Sequence, residues 1–175
     1  AAKNWELYAQ DPSGNVYQLT EDPFYDSWWP KLSPDRTKIM FMRNDAGTKE
    51  NDWNKSSLWV LPVDGASFTV KKLLGSGAGR AAPSAMGWNF LAHPEWDPQD
   101  GHDRIAVIGR TAAPGSETQI YVIPYAESTN SLTTSSAFRV THGANVSTPR
   151  PGLTIDPSWH PDGNSILFSG CTLNQ

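Results

Sequence analysis

Short apolar runs, each only long enough for a strand, recur along this chain between clusters of proline, glycine and polar residues. Ile39-Met40-Phe41-Met42, Ile105-Ala106-Val107-Ile108 and Ile166-Leu167-Phe168 show no polar alternation, and predict strands buried on both faces. A second set predicts strands at Trp5 to Ala9, Leu58 to Leu61 and Ile120 to Ile123, and a third at Val16 to Thr20, Thr69 to Leu74 and Phe138 to Thr141. Helices are not expected, because 14 prolines and 14 glycines interrupt every window before an i, i+3, i+4 stripe can run for three turns. Asp11-Pro12-Ser13-Gly14-Asn15, Val63-Asp64-Gly65 and Pro161-Asp162-Gly163-Asn164 carry turn chemistry, with proline at a first corner or glycine where φ is positive.

The runs are ordered by an internal repeat. WWPKLSPDRTKIMF from Trp28, HPEWDPQDGHDRIAV from His93 and DPSWHPDGNSILF from Asp156 each place two prolines ahead of an apolar strand, and the leading prolines Pro30, Pro94 and Pro157 are 64 and 63 residues apart. Repeats of this length signal solenoids or propellers. The predicted unit is four antiparallel strands of about five residues, the first preceding the proline pair and the second following it; four-stranded units stacked radially form propeller blades. The small-residue stretch from Ser76 to Asn89 reads as a loop between two blades.

The phrase P-x-[WL]-x-P-D-G-x-x-I-x-[FV], followed by a strand and a closing L-T, resembles the TolB-like propeller repeat found in TolB and in the propeller domains of prolyl-oligopeptidase relatives. Pro157, Trp159, Pro161, Asp162, Gly163, Ile166 and Phe168 match throughout. In the first copy Leu32 stands for the Trp and Arg36 for the Gly; the second copy inserts two residues around Gln99 to His102. The resemblance covers essentially the whole chain and implies an all-β, β-propeller fold. In its blade order residues 4–20 form a half blade, 21–75 and 76–143 whole blades, and 144–170 a complementary half blade. Three blade equivalents are too few to close a ring, since propellers typically need four to eight. The expected partner is therefore a second copy in a six-bladed homodimer, an open polymer of copies, or the remaining blades of a longer chain.

Composition narrows the function. With 175 residues, 38% hydrophobic content and a formal charge of −4, the chain suits one globular unit, and its 14 Lys and Arg are scattered without a basic stripe for nucleic acid. No apolar run approaches the roughly 18 residues of a membrane-spanning helix. The start at Ala1-Ala2 suits the mature side of a signal-peptide cleavage, and with the TolB resemblance it points to a periplasmic or extracellular setting. Cys171 is the only cysteine, so no intrachain disulfide forms, and it reads as a small buried residue.

Nothing in the sequence marks an enzyme. The G-x-S-x-G string of peptidase relatives is absent, and four histidines carry no zinc spacing; His142 and His160 read as turn residues. Asp26, His93 and Asp156 lie on or just before the repeat's first strand, which in the family lines the central channel. They are candidates for a small-ligand or cation site at its mouth, with the solvated wall of a water-filled tunnel as the plainer reading. Asp97, Asp100 and Asp103 at i, i+3, i+6 are candidate oxygen ligands for calcium, with an acidic solvated turn as the plainer reading. Among eight tryptophans, Trp96, Trp159 and Trp59 read as core between blades. Trp28, Trp29, Trp53 and Trp88 fall outside that pattern; Trp29 reads as buried, and Trp28, Trp53 and Trp88 are candidates for contacting a protein or a glycan. The expectation is a non-enzymatic, exported module that displays the loops 44–57, 76–90 and 111–118 on stiff blades to a protein, cell-envelope or glycan partner. The alternative is a structural subunit that self-assembles through its end strands.

Overall fold

A computed structural model describes residues 4–45, 55–63, 69–75, 86–111, 117–141 and 151–172. They form antiparallel β-structure with two short 3-10 turns. Four sheets follow one another along the chain. The first pairs β1 (Tyr8–Gln10) with β2 (Val16–Gln18). The second runs in order through β3 (Tyr25–Leu32), β4 (Lys38–Asp45), β5 (Ser56–Pro62) and β6 (Lys71–Gly75). The third runs through β7 (Trp88–Trp96), β8 (Arg104–Thr111) and β9 (Gln119–Ala126); β9 is extended by β10 (Ser131–Leu132) and β11 (Phe138–Arg139). The last pairs β12 (Pro151–Trp159) with β13 (Ile166–Thr172).

The sheets are joined face to face by three layers of side chains, and the two-residue period of a strand sorts residues between layers. Phe41 packs with Leu7, Leu19 and Leu61 toward the first sheet, whereas Met40 and Met42 pack with Leu91, Ile105 and Val107 toward the third. Ala106 and Ile108, on the opposite face of β8 from Ile105 and Val107, meet Ile120, Val122, Trp159 and Ile166. Two of the three apolar runs are thus buried on both faces, as their lack of alternation implies. The third is not: Leu167 is 69% exposed, because among the described residues no sheet covers the far face of β13, and Phe168, on the nearer face with Ile166, is still 42% exposed.

The leading prolines are also placed differently from expectation. Pro30, Pro94 and Pro157 lie within β3, β7 and β12 rather than after them. Each of these strands is the edge of its sheet, where a residue without an N–H leaves no ladder bond unmade. The second prolines Pro34, Pro98 and Pro161 stand in the connecting turns.

Two recurrent bonds show what the repeat's signature residues do. Trp96 Nε1 donates to the carbonyl of Lys31 at 3.1 Å, and Trp159 Nε1 to that of Glu95 at 3.4 Å. Each motif tryptophan therefore reaches back to the residue after the preceding repeat's leading proline. In the first copy Leu32 takes the position and is exposed. At the closing strand, Thr20 Oγ1 accepts from Leu7 N and Thr141 Oγ1 from Ile120 N, both at 2.9 Å.

The turns interlock as well. Arg104 donates from Nε to Asp97 Oδ2 and from Nη2 to the Gly163 carbonyl, both at 2.5 Å, and its guanidinium lies 4.9 Å from the Trp159 ring centre. Gly163 is required twice over: its φ is +69°, and a Cβ there would lie 2.6 Å from Asp97 Oδ1 and 2.8 Å from His102 Nδ1. Gly163→Ala is accordingly expected to destabilise the fold by about 1–3 kcal/mol, measured by urea denaturation, whereas Gly101→Ala, with open space around its Cβ, loses only the smaller cost of its own positive φ.

Candidate functional site

The three edge strands break register at the same point: between Trp28 and Lys31 in β3, Ala92 and Glu95 in β7, and Ile155 and Ser158 in β12. At each break the residue ahead of the leading proline is left-handed, with φ of 49° at Trp29, 49° at His93 and 53° at Asp156. Proline biases the residue before it toward extended conformations, and a left-handed L-residue costs about 1–2 kcal/mol. A strained bulge that recurs in all three copies belongs to the repeat. Bulges of this kind re-aim a side chain.

Here they aim three side chains at one another. The Trp29 and His93 rings are 4.9 Å apart between centroids and inclined at 31°, and His93 Nδ1 is 2.9 Å from Asp156 Oδ1. Between the three strands opens a cavity of about 320 Å³, lined by these residues with Lys31, Glu95, Ser158 and the two prolines Pro94 and Pro157. Lys31 Nζ meets Glu95 Oε1 at 2.5 Å on its wall. An aromatic face, an imidazole, a half-exposed carboxylate and an ion pair thus share one cleft, a combination suited to a ligand with both apolar and hydrogen-bonding groups. Burial pushes the His93 imidazole below its usual value and Lys31 pushes the same way, against the opposing pull of Asp156 and Glu95.

The cleft unites His93 and Asp156 but not Asp26. Asp26 lies three residues before the bulge, is buried, and accepts from the Trp5 backbone N–H at 2.9 Å. Trp29 occupies the place beside His93 and Asp156 instead, and the sequence carries the signal: Trp29, His93 and Asp156 are the three residues that precede the leading prolines.

The carboxylate of Asp97 is buried and engaged by Arg104, by His102 Nδ1 at 3.1 Å and by the Gln99 N–H at 3.0 Å. Asp97, Asp100 and Asp103 all border a second cleft of about 310 Å³ between the turns of the first two repeats. Among the described residues, no three His, Cys, Asp or Glu side chains stand close enough to hold a metal ion. On the aromatic candidates the structure corrects the reading for Trp88. It is 3% exposed, packs 4.6 Å from the Tyr121 ring centre, and fills the space that a Cβ on Gly109 would need. Trp28 is half-buried, 4.9 Å from the Trp5 ring, and Trp53 lies outside the described residues. Comparison with protein-family models and with curated proteins returned no match for this chain.

The His93 environment makes a pH prediction. A histidine whose folded pKa is depressed contributes stability that is present in full above its unfolded value of about 6.5 and lost as pH falls through the folded value. NMR titration is expected to place His93 below 6.5, and to place it lower again in Asp156→Asn, which removes the nearest group that favours the imidazolium. A His93 pKa that rises in Asp156→Asn contradicts the geometry.

Proposed function

We propose that this chain is a run of TolB-like propeller blades, about three blade equivalents, working as a non-enzymatic and exported binding module for a protein or cell-envelope partner. The observation that carries the reading is the cleft built from equivalent residues of three repeats. The sheet order supports the propeller part. β3, β7 and β12 are the corresponding edge strands of consecutive face-packed sheets, as the innermost strands of blades would be, and the cleft lies where such strands meet around an axis.

Rigid strands, rather than loops, hold the recognition residues in this reading. Trp29, His93 and Asp156 are fixed by ladder bonds on either side of each bulge; much of the loops 44–57, 76–90 and 111–118 lies outside the described residues. Binding at those three residues costs little ordering entropy. The ligand that fits is an extended protein segment, which offers backbone donors to Asp156 and Glu95 and an apolar side chain to Trp29. A glycan reading has less support, since Trp88 is core.

The test is selection of displayed random peptides on the native protein. Peptides recovered in this way are expected to lose at least about tenfold in affinity against Trp29→Ala and Asp156→Ala, the loss from one hot-spot contact. Selected peptides that bind both variants as well as they bind the original protein would place recognition elsewhere.

A further inference from the structure

The cleft holds a charge that its own side chains leave unbalanced. Four ionisable residues line it: Lys31 from β3, His93 and Glu95 from β7, and Asp156 from β12. Lys31 and Glu95 cancel one another at 2.5 Å. Burial, with Lys31 adding to it, holds the His93 imidazole below its usual value and so uncharged at neutral pH. The carboxylate of Asp156 remains, its side chain 58% exposed, as one negative charge beside two stacked rings.

Elsewhere in the molecule an indole and a carboxylate that share a site have a guanidinium between them. Arg43 lies 4.7 Å from the Trp59 ring centre and 3.1 Å from Asp22. Arg104 lies 4.9 Å from the Trp159 ring centre and 2.5 Å from Asp97. A guanidinium suits such places because it is flat and weakly hydrated, so that it can cover a ring while its N–H groups meet the acid. The cleft repeats the indole and the carboxylate without an arginine, and the one lysine in its lining is held by Glu95.

We infer that an arginine side chain of the bound segment fills this place, its stem along the Trp29 indole and its guanidinium on the Asp156 carboxylate. The inference rests on the reading of the cleft as a site for an extended protein segment, and adds the residue that anchors the segment. The spacing suits the side chain. His93 links the other two groups, with its ring centre 4.9 Å from that of Trp29 and its Nδ1 2.9 Å from Asp156 Oδ1, so an arginine laid along the imidazole reaches both. Pro94 and Pro157 supply apolar wall for the methylene stem. Lysine fits less well, since its ammonium is a strongly hydrated point charge that does not stack.

His93 makes the anchor sensitive to pH. The charged groups that act on it are Asp156, Lys31 and Glu95, one from each of the three strands. Once protonated, the imidazole neutralises Asp156 and repels a guanidinium. Arginine binding is therefore expected to weaken as pH falls through the folded pKa of His93, and bound arginine to lower that pKa further, by linkage.

The test takes peptides selected on the native protein that lose affinity against Trp29→Ala, and replaces arginine in them by citrulline, which keeps the shape and removes the charge. On the unmodified protein this exchange is expected to cost at least about tenfold in affinity. Against Asp156→Asn, which retains a residue tolerant of a left-handed backbone, the two forms are expected to bind within about twofold of one another. NMR titration is expected to show the His93 pKa falling on saturation with the arginine form and unmoved by the citrulline form. Peptides that depend on Trp29 yet lack arginine, or that tolerate citrulline, would overturn the inference and leave the cleft as a peptide site. So would an arginine preference that survives in Asp156→Asn. Peptides indifferent to Trp29→Ala would overturn both.

Discussion

The left-handed residue ahead of each leading proline is the constraint on which the rest of the molecule depends. It turns the edge strand through a bulge and points Trp29, His93 and Asp156 toward a common cleft. The carbonyl just past the proline then accepts an indole N–H from the next repeat, at Lys31 from Trp96 and at Glu95 from Trp159. One local conformation thus builds the cleft and ties successive sheets together. That double role gives a physical reason for keeping proline within a strand.

Sheet stacking provides the bulk of the stabilisation, and the charged side chains Arg43 and Lys38 buried within it have partners. Arg43 is 1% exposed, yet it lies among the rings of Tyr25, Phe41 and Trp59, donates to Ser27 Oγ at 3.2 Å and pairs with Asp22 at 3.1 Å. A buried guanidinium is tolerable only with such partners. Lys38 loses solvent in the same way, and burial alone would lower its pKa. Hydrogen bonds to Glu127 and Asp35 outweigh that effect and hold it above the usual value, so the lysine that opens β4 is joined to a carboxylate just beyond β9. Like the Arg104 fork on Gly163, this is a polar tie between neighbouring repeats at the turn end of the sheets.

Strand positions and their two-sided burial were legible because the apolar runs 39–42 and 105–108 lack alternation and can only be sandwiched. The same pattern at 166–168 misled, since a run of apolar residues says that a face is meant to be covered without saying by what; Leu167 shows the difference. Prolines were read as strand terminators, and Pro30, Pro94 and Pro157 sit inside strands because an edge strand makes no demand on that N–H. The cleft was half legible. All three candidates came from lying on or just before the repeat's first strand; that placement was right for His93 and Asp156, but Asp26 lies three residues ahead of the equivalent position, which Trp29 holds. Trp88 looked like a loop residue because Gly87 and the small-residue stretch precede it, but the void over Gly109 accepts its ring. The two-residue β10 owes its pairing to tertiary contact with β9 and carries little signal of its own, whereas β11 lies where a strand was read at Phe138 to Thr141.

The most direct measurement compares urea denaturation of Asp156→Gly with that of Asp156→Val. Both remove the same carboxylate from His93, so their difference reports the backbone. A left-handed residue at 156 predicts that the glycine variant is the more stable by about 1–2 kcal/mol, because only glycine adopts that conformation without cost. A valine variant as stable as the glycine one, or more so, would mean that the strand runs straight through the proline and that the shared bulge does not build the cleft.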